Sequence, residues 1–237
     1  MEQLETWARE AARLAAPTAD FWSARSVVET AEQLTVRQNL AESPVRSRDE
    51  GVMVCVVNAG AMGYAATSNV SAPGIRQAFA QAMMMAQASA GHGVFDYRQA
   101  LATATAAAQY RSPNLRPVER SPLKDRFDLL MGVCRSVKAG SEIVDWSASL
   151  WTTHTEQLLV TSEGAQVHQA WDFVVPNIVA VASVGAETQT RSAAGQYNGF
   201  CQQGGLEVLD RAGFASDGPR VAREAIELAR APNCPTG

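Results

Sequence analysis

Leu4, Trp7, Ala8, Ala11, Ala12 and Leu14 recur at the three- and four-residue spacing of one helix face, and Pro17 follows, so the chain is predicted to open with an amphipathic helix. The next two segments, 21–29 and 33–42, are rich in Val, Thr and aromatics without helical period. In the second, Leu34, Val36, Gln38 and Leu40 alternate with Gln33, Thr35, Arg37 and Asn39, the pattern of a half-buried strand. Gly51-Val-Met-Val-Cys-Val-Val57 and Ala61-Met-Gly-Tyr-Ala-Ala-Thr67 flank Asn58-Ala-Gly60, which predicts a hairpin with glycine at a positive φ. Val52 to Val57 is apolar on both faces, so its strand is expected to be central and covered on each side. A helix after Ser71-Ala-Pro73 offers one cover, with Ile75, Ala78, Phe79, Ala82, Met83 and Ala86 on a single stripe.

From 93 to 122 the periodicity lapses into Ala, Thr, Ser, Pro and Arg, the pattern of a connector. Ser121-Pro122 then reads as a helix start, with Leu123, Phe127, Leu130, Met131, Cys134 and Val137 forming the buried stripe. Strand patterns follow at 144–153, 157–161, 165–171 and 177–190, with a second turn at Ser162-Glu-Gly164. A closing helix begins near Asp217-Gly-Pro219 and carries Val221, Ala222, Ala225, Ile226 and Ala229 on one face. The resulting fold class is α+β, with two lobes of mostly antiparallel sheet flanked by helices. The lobes are expected at 1–92 and 123–237, joined by the connector at 93–122.

Composition narrows the function classes. Hydrophobic residues make up 46% and charged residues 19% of 237, an ordinary globular balance. Twenty Lys and Arg against 24 Asp and Glu give a net charge of −4 without a basic face, which argues against nucleic acid as a direct partner. Runs such as Val52 to Val57 and Ile178 to Val184 are far shorter than the roughly 20 residues that cross a bilayer, and no secretory signal opens the chain, so a cytoplasmic location is expected. Cys55, Cys134, Cys201 and Cys234 are widely spaced, three of them in apolar segments where a thiol reads as a small hydrophobe, and disulfides are not indicated.

The search for chemistry yields little. His92, His154 and His168 form no H-E-x-x-H pair; His154 and His168 fall on neighbouring predicted strands, where Glu156 or Asp172 would be the oxygen ligand of a metal, but surface histidines on strands are the commoner case. Gly-x-Ser-x-Gly and phosphate-loop glycines are missing, and Gln203-Gly-Gly205 reads as a turn. Met83 belongs to a core stripe, whereas Met84 and Met85 stay unassigned. Trp146, Trp151, Trp171, Phe173, Tyr197 and Phe200 cluster in the second lobe, as cross-strand packing more often than as a recognition surface. No catalytic, cofactor-binding or metal-binding residue is assigned.

The order of features nevertheless resembles one family. Thr35-Val-Arg37, Asp49-Glu-Gly-Val-Met-Val-Cys-Val-Val57, Gly60-Ala-Met-Gly-Tyr-Ala-Ala-Thr67 and the helix led by Val70-Ser71 are similar to the amino-terminal domain of the TldD/PmbA family, the zinc metallopeptidases also called modulators of DNA gyrase. Val160-Thr-Ser-Glu-Gly164, the helix from Val221 to Pro232, and Pro235-Thr-Gly237 continue the resemblance to the family's junction with its catalytic domain. It implies the amino-terminal, non-catalytic region of a zinc metallopeptidase acting on peptides or unfolded chains, as a homo- or heterodimer. The family's zinc motif would follow residue 237, zinc-activated water would attack the peptide carbonyl, and this chain alone would be inactive. The alternative is a metal-free partner subunit or scaffold of such a complex.

Overall fold

The computed structural model describes residues 2–14, 19–101 and 107–232. Pro17, Cys234 and the segment Pro235-Thr-Gly237 lie outside them. The chain forms two compact units: one takes residues 1–30, 48–111 and 154–171, the other 31–47, 112–153 and 172–237. The bounds at 92 and 122 follow composition along the chain, whereas the units follow contacts in space. Both units combine strands with flanking helices, so the fold class is α+β.

The first unit holds α1 (Glu2–Leu14), α2 (Ala72–Ser89), β4 (Ala61–Thr67), β5 (Ala107–Arg111), most of β3 (Val45–Asn58) and parts of β1 (Phe21–Arg37), β6 (Ile143–Thr161) and β7 (Gln166–Val184), the rest of these strands belonging to the second unit. The strand order is β4-β3-β1-β6-β7-β5, with β3 and β4 antiparallel and β5 parallel to β7. Leu4, Trp7, Ala8 and Ala11 of α1 and Ile75, Ala78, Phe79 and Ala82 of α2 meet Ala24, Val28, Val52, Val54, Val56, Leu158 and Val160 in one apolar core. Ser71 caps α2 by accepting from the Gly74 N–H, and Pro73 stands in its first turn. Alternation along the strands leaves Arg25, Met53 and Tyr64 on the sheet's other face, where all three are exposed. β3 lies between β4 and β1 as predicted, but the cover on its second face is partial: Val52, Val54 and Val56 are buried on one face, and on the other Val57 is buried while Met53 is 37% exposed. The hairpin turn is also tighter than expected, two residues between Asn58 and Ala61.

In the second unit, β1 turns at Gln38 and Asn39 (φ 51° and 64°) into β2 (Leu40–Ala41). The expected strand over 33–42 therefore ends at Arg37. Leu34 and Val36 are buried as their alternation requires, but Leu40 is 72% exposed because the turn removes it from the sheet face. The strand expected over 177–190 breaks at Gly185, giving β7 and β8 (Glu187–Ala194), paired from Asn177↔Ala194 to Val184↔Glu187. The short β9 (Gln202–Gln203) pairs with Phe173 and Val174. Three helices, α3 (Leu123–Val137), α4 (Glu207–Arg211) and α5 (Gly218–Arg230), complete the unit. Leu130, Val133, Cys134 and Val137 join Leu150, Ile178, Phe214, Val221 and Ala225 in its core. Pro122, not Ser121, holds the cap position of α3, and no side chain caps it. The apolar face of α5 packs into this core, with Leu228 outside it.

Candidate functional site

Cross-strand geometry brings together one of the polar pairs considered from the sequence. His168 of β7 and Glu156 of β6 are 2.8 Å apart between Nε2 and Oε1, and both are mostly buried. Burial raises the Glu156 carboxyl and the hydrogen bond with His168 lowers it, leaving it below the usual carboxylate value. Gln109, opposite His168 in the β5–β7 register, lines a cavity of about 350 Å³ with Glu5, Leu158, Gln166 and His168. Gln157 and Gln169 bond at 2.8 Å between the same two strands. His154 lies on β6 and Asp172 on β7, whereas His92 is exposed after α2. Among the described residues no three His, Cys, Asp or Glu side chains gather in a way that could hold a metal ion.

On the sheet's other face in the same unit, a groove of about 460 Å³ runs over β1, β3 and β4. Val27, Met53 and Ala66 give it an apolar floor, and Arg25, Glu29, Asp49 and Glu50 surround it with charge. Thr155 donates to Glu29 at 2.8 Å, and Arg48 holds Glu50 at 3.0 Å. Cys55 on the neighbouring strand position has its thiol pushed up by burial, so it stays protonated and unreactive near neutrality.

The second unit contains a structural clasp that the sequence reading passed over. Gly-Gly before Leu206 was the visible signal, and a helix does follow it, but α4 has only five residues. The Glu207 carboxylate turns back to accept the N–H groups of Gly205, Leu115 and Arg116 at 2.9, 3.2 and 2.9 Å. The aromatics act mainly in packing: the Trp146 indole donates to Asn39 Oδ1 at 3.2 Å beneath the Lys138 ammonium, and Phe200 lies against the core. Trp171 meets Tyr110 at 6.3 Å, while Trp151 and Tyr197 are exposed.

Two family profiles match the chain in succession. PmbA/TldA metallopeptidase domain 1 matches residues 22–86, and the PmbA/TldA metallopeptidase central domain matches 116–231. No curated protein matches it. Solved structures share the fold. A candidate modulator of a DNA gyrase from Thermotoga maritima aligns with TM-score 0.65 at 15% identity, over 100% of this chain and 50% of its own. TldE from Thermococcus kodakarensis aligns with TM-score 0.59 at 11% identity, over 94% and 47%. A candidate modulator of DNA gyrase from Bacteroides thetaiotaomicron gives 0.57 at 9%, over 89% and 48%. The chain thus spans about half the length of these relatives, and no helix among the described residues is long and apolar enough to cross a membrane. Matched in succession by its first and central domains, the chain belongs to the PmbA/TldD metallopeptidase family.

Proposed function

We propose that this chain is the non-catalytic amino-terminal region of a PmbA/TldD zinc metallopeptidase that acts on peptides or unfolded chains in the cytoplasm, paired with a second copy or another family member. The observation that carries the reading is the succession of domain 1 and central domain in a chain half as long as its solved relatives. The residues described here do not fit a zinc site, because His168 and Glu156 gather no third ligand, and no hydrolytic step is assigned to them. Two packed units with ordinary apolar cores suit a part that shapes access to peptide and presents binding surface.

The test joins sequence to activity. Reading the gene on both sides of these codons should reveal a His-Glu zinc motif, and the protein spanning both parts should cleave an unfolded peptide only with zinc. The chain by itself should leave the same peptide intact. Zinc-dependent cleavage by the isolated chain would overturn the proposal, and a reading frame without the motif would favour the metal-free partner subunit.

A further inference from the structure

β4 ends the strand order of its sheet and is hydrogen-bonded on one side, to β3. Ala59 and Gly60 form the two-residue turn with φ of 49° and 78°, so Asn58 and Ala61 exchange both of their backbone bonds. Counting along the register, Gly63, Ala65 and Thr67 also bond to β3, and the N–H and C=O groups of Met62, Tyr64 and Ala66 point outward. The Asp20 N–H donates to Val57 O at 2.9 Å, which fixes the sense: Val57, opposite Met62, bonds away from β4. Among the described residues, no second strand meets that outer edge.

Exposed strand edges are ordinarily guarded by lysine, proline or a bulge, because they template further pairing. Ala61-Met-Gly-Tyr-Ala-Ala-Thr67 has no charge and no proline. Apolar side chains flank it instead. Met84 and Met85 of α2 are 60% and 43% exposed, and Met85 stands over Gly63, where an added Cβ would come within 2.9 Å of the Met85 Cβ. Tyr64, 53% exposed, lies on the opposite face. At the turn end, the edge-to-face pair Phe95 and Tyr97 is fastened by the Tyr97 N–H to Gly60 O at 2.9 Å; at the other end the groove opens at Ala66 and Thr67.

We propose that the outer edge of β4 binds an extended peptide segment of roughly five to seven residues as an added strand, with apolar side chains at alternate positions. Main-chain pairing is what the outward groups of Met62, Tyr64 and Ala66 can offer, and the flanking Met and Tyr side chains suit an apolar alternation. A stable dimer needs roughly 20 residues a side, far more than this narrow strip provides, so a peptide fits it better than a second copy. The inference rests on the proposed function only for the class of ligand, and binding by this chain is measured separately from zinc-dependent cleavage.

The probe is an end-blocked decapeptide of alternating threonine and valine with a terminal lysine, titrated into the whole chain while amide exchange is followed. Exchange at Met62, Tyr64 and Ala66 should slow about tenfold or more, while Gly63 and Ala65, already bonded to β3, stay unchanged. Of two probes N-methylated on opposite alternate sets, one should bind about tenfold more weakly, the loss expected from unmade backbone bonds. Tyr64→Pro, which removes an outward N–H, should weaken the parent probe similarly; if that variant fails to fold, the methylated probes still decide. Protection elsewhere, or equal binding of both methylated probes, overturns the proposal. Slowing that grows with protein concentration in the absence of probe would assign the edge to a second copy and overturn it as well.

Discussion

Glu207 shows how one side chain can organise a loop. Partial burial would raise its carboxyl, but the N–H groups of Gly205, Arg116 and Leu115 bind the charged form, and together with its own backbone N–H they hold it down to about 2. A carboxyl depressed in the folded state stabilises above its unfolded value and loses that contribution as pH falls through the folded one. The window therefore runs from the ordinary 4.5 down to about 2. Because the group is partly solvated, its worth is about 1–2 kcal/mol. Urea unfolding should show Glu207→Gln destabilised by that amount at pH 7, with the difference from the parent shrinking across the window; a constant difference would contradict the clasp. The buried Arg126 makes a harsher case. Glu32 pairs with it and with Arg46, while the Arg126 Nε finds no partner. Glu32→Gln leaves that cation uncompensated and should cost about 3 kcal/mol, whereas Arg126→Met, which removes the charge, should cost much less. Equal losses in the two variants would show that packing, not charge, governs the position.

Between elements, α2 and β4 approach closely. A Cβ at Gly63 would lie 2.1 Å from Ala82 O and 2.6 Å from Ala86 N, both backbone atoms of the helix. Gly63→Ala must push helix and strand apart, at a cost of about 3 kcal/mol or more. Gly132, exposed within α3 with nothing within 4 Å of its Cβ position, gives the opposite sign: Gly132→Ala should stabilise by about 0.5–1 kcal/mol. Denaturation midpoints moving in the same direction for both would refute this account. Helices were legible because an apolar stripe is a local signal: Ile75, Ala78, Phe79 and Ala82 mark α2 as clearly in sequence as in the core. Strand ends were not. Leu40 keeps the alternation of Leu34 and Val36, yet the positive φ of Gln38 and Asn39 redirects the chain before it, and neither residue is glycine. Met53 sits in an unbroken apolar run, and only the arrangement of helices on one face leaves it exposed.

At the scale of the whole chain, the polar pairs are set by partners far apart in sequence. Glu207 reaches Arg116 across 91 positions and Arg126 reaches Glu32 across 94, so no window of local pattern could join them. His168 and Glu156 were within reach of a hairpin reading, because the Ser162-Glu-Gly164 turn sets their strands side by side. Among the described residues that pair gathers no third ligand, and this gives the chain a measurable property. A folded-state zinc site filled at 100 times its dissociation constant would add about 2.7 kcal/mol, enough to raise the melting temperature by several degrees. One imidazole and one carboxylate, already hydrogen-bonded to each other, hold such an ion weakly. The melting temperature should therefore stay within about 1 °C between excess zinc and excess EDTA. His168→Ala should leave that indifference intact while lowering stability by about 1 kcal/mol through the bond it loses to Glu156. A zinc-dependent rise that His168→Ala abolishes would instead place a metal on this chain, and with it part of the catalytic apparatus the proposed function assigns elsewhere.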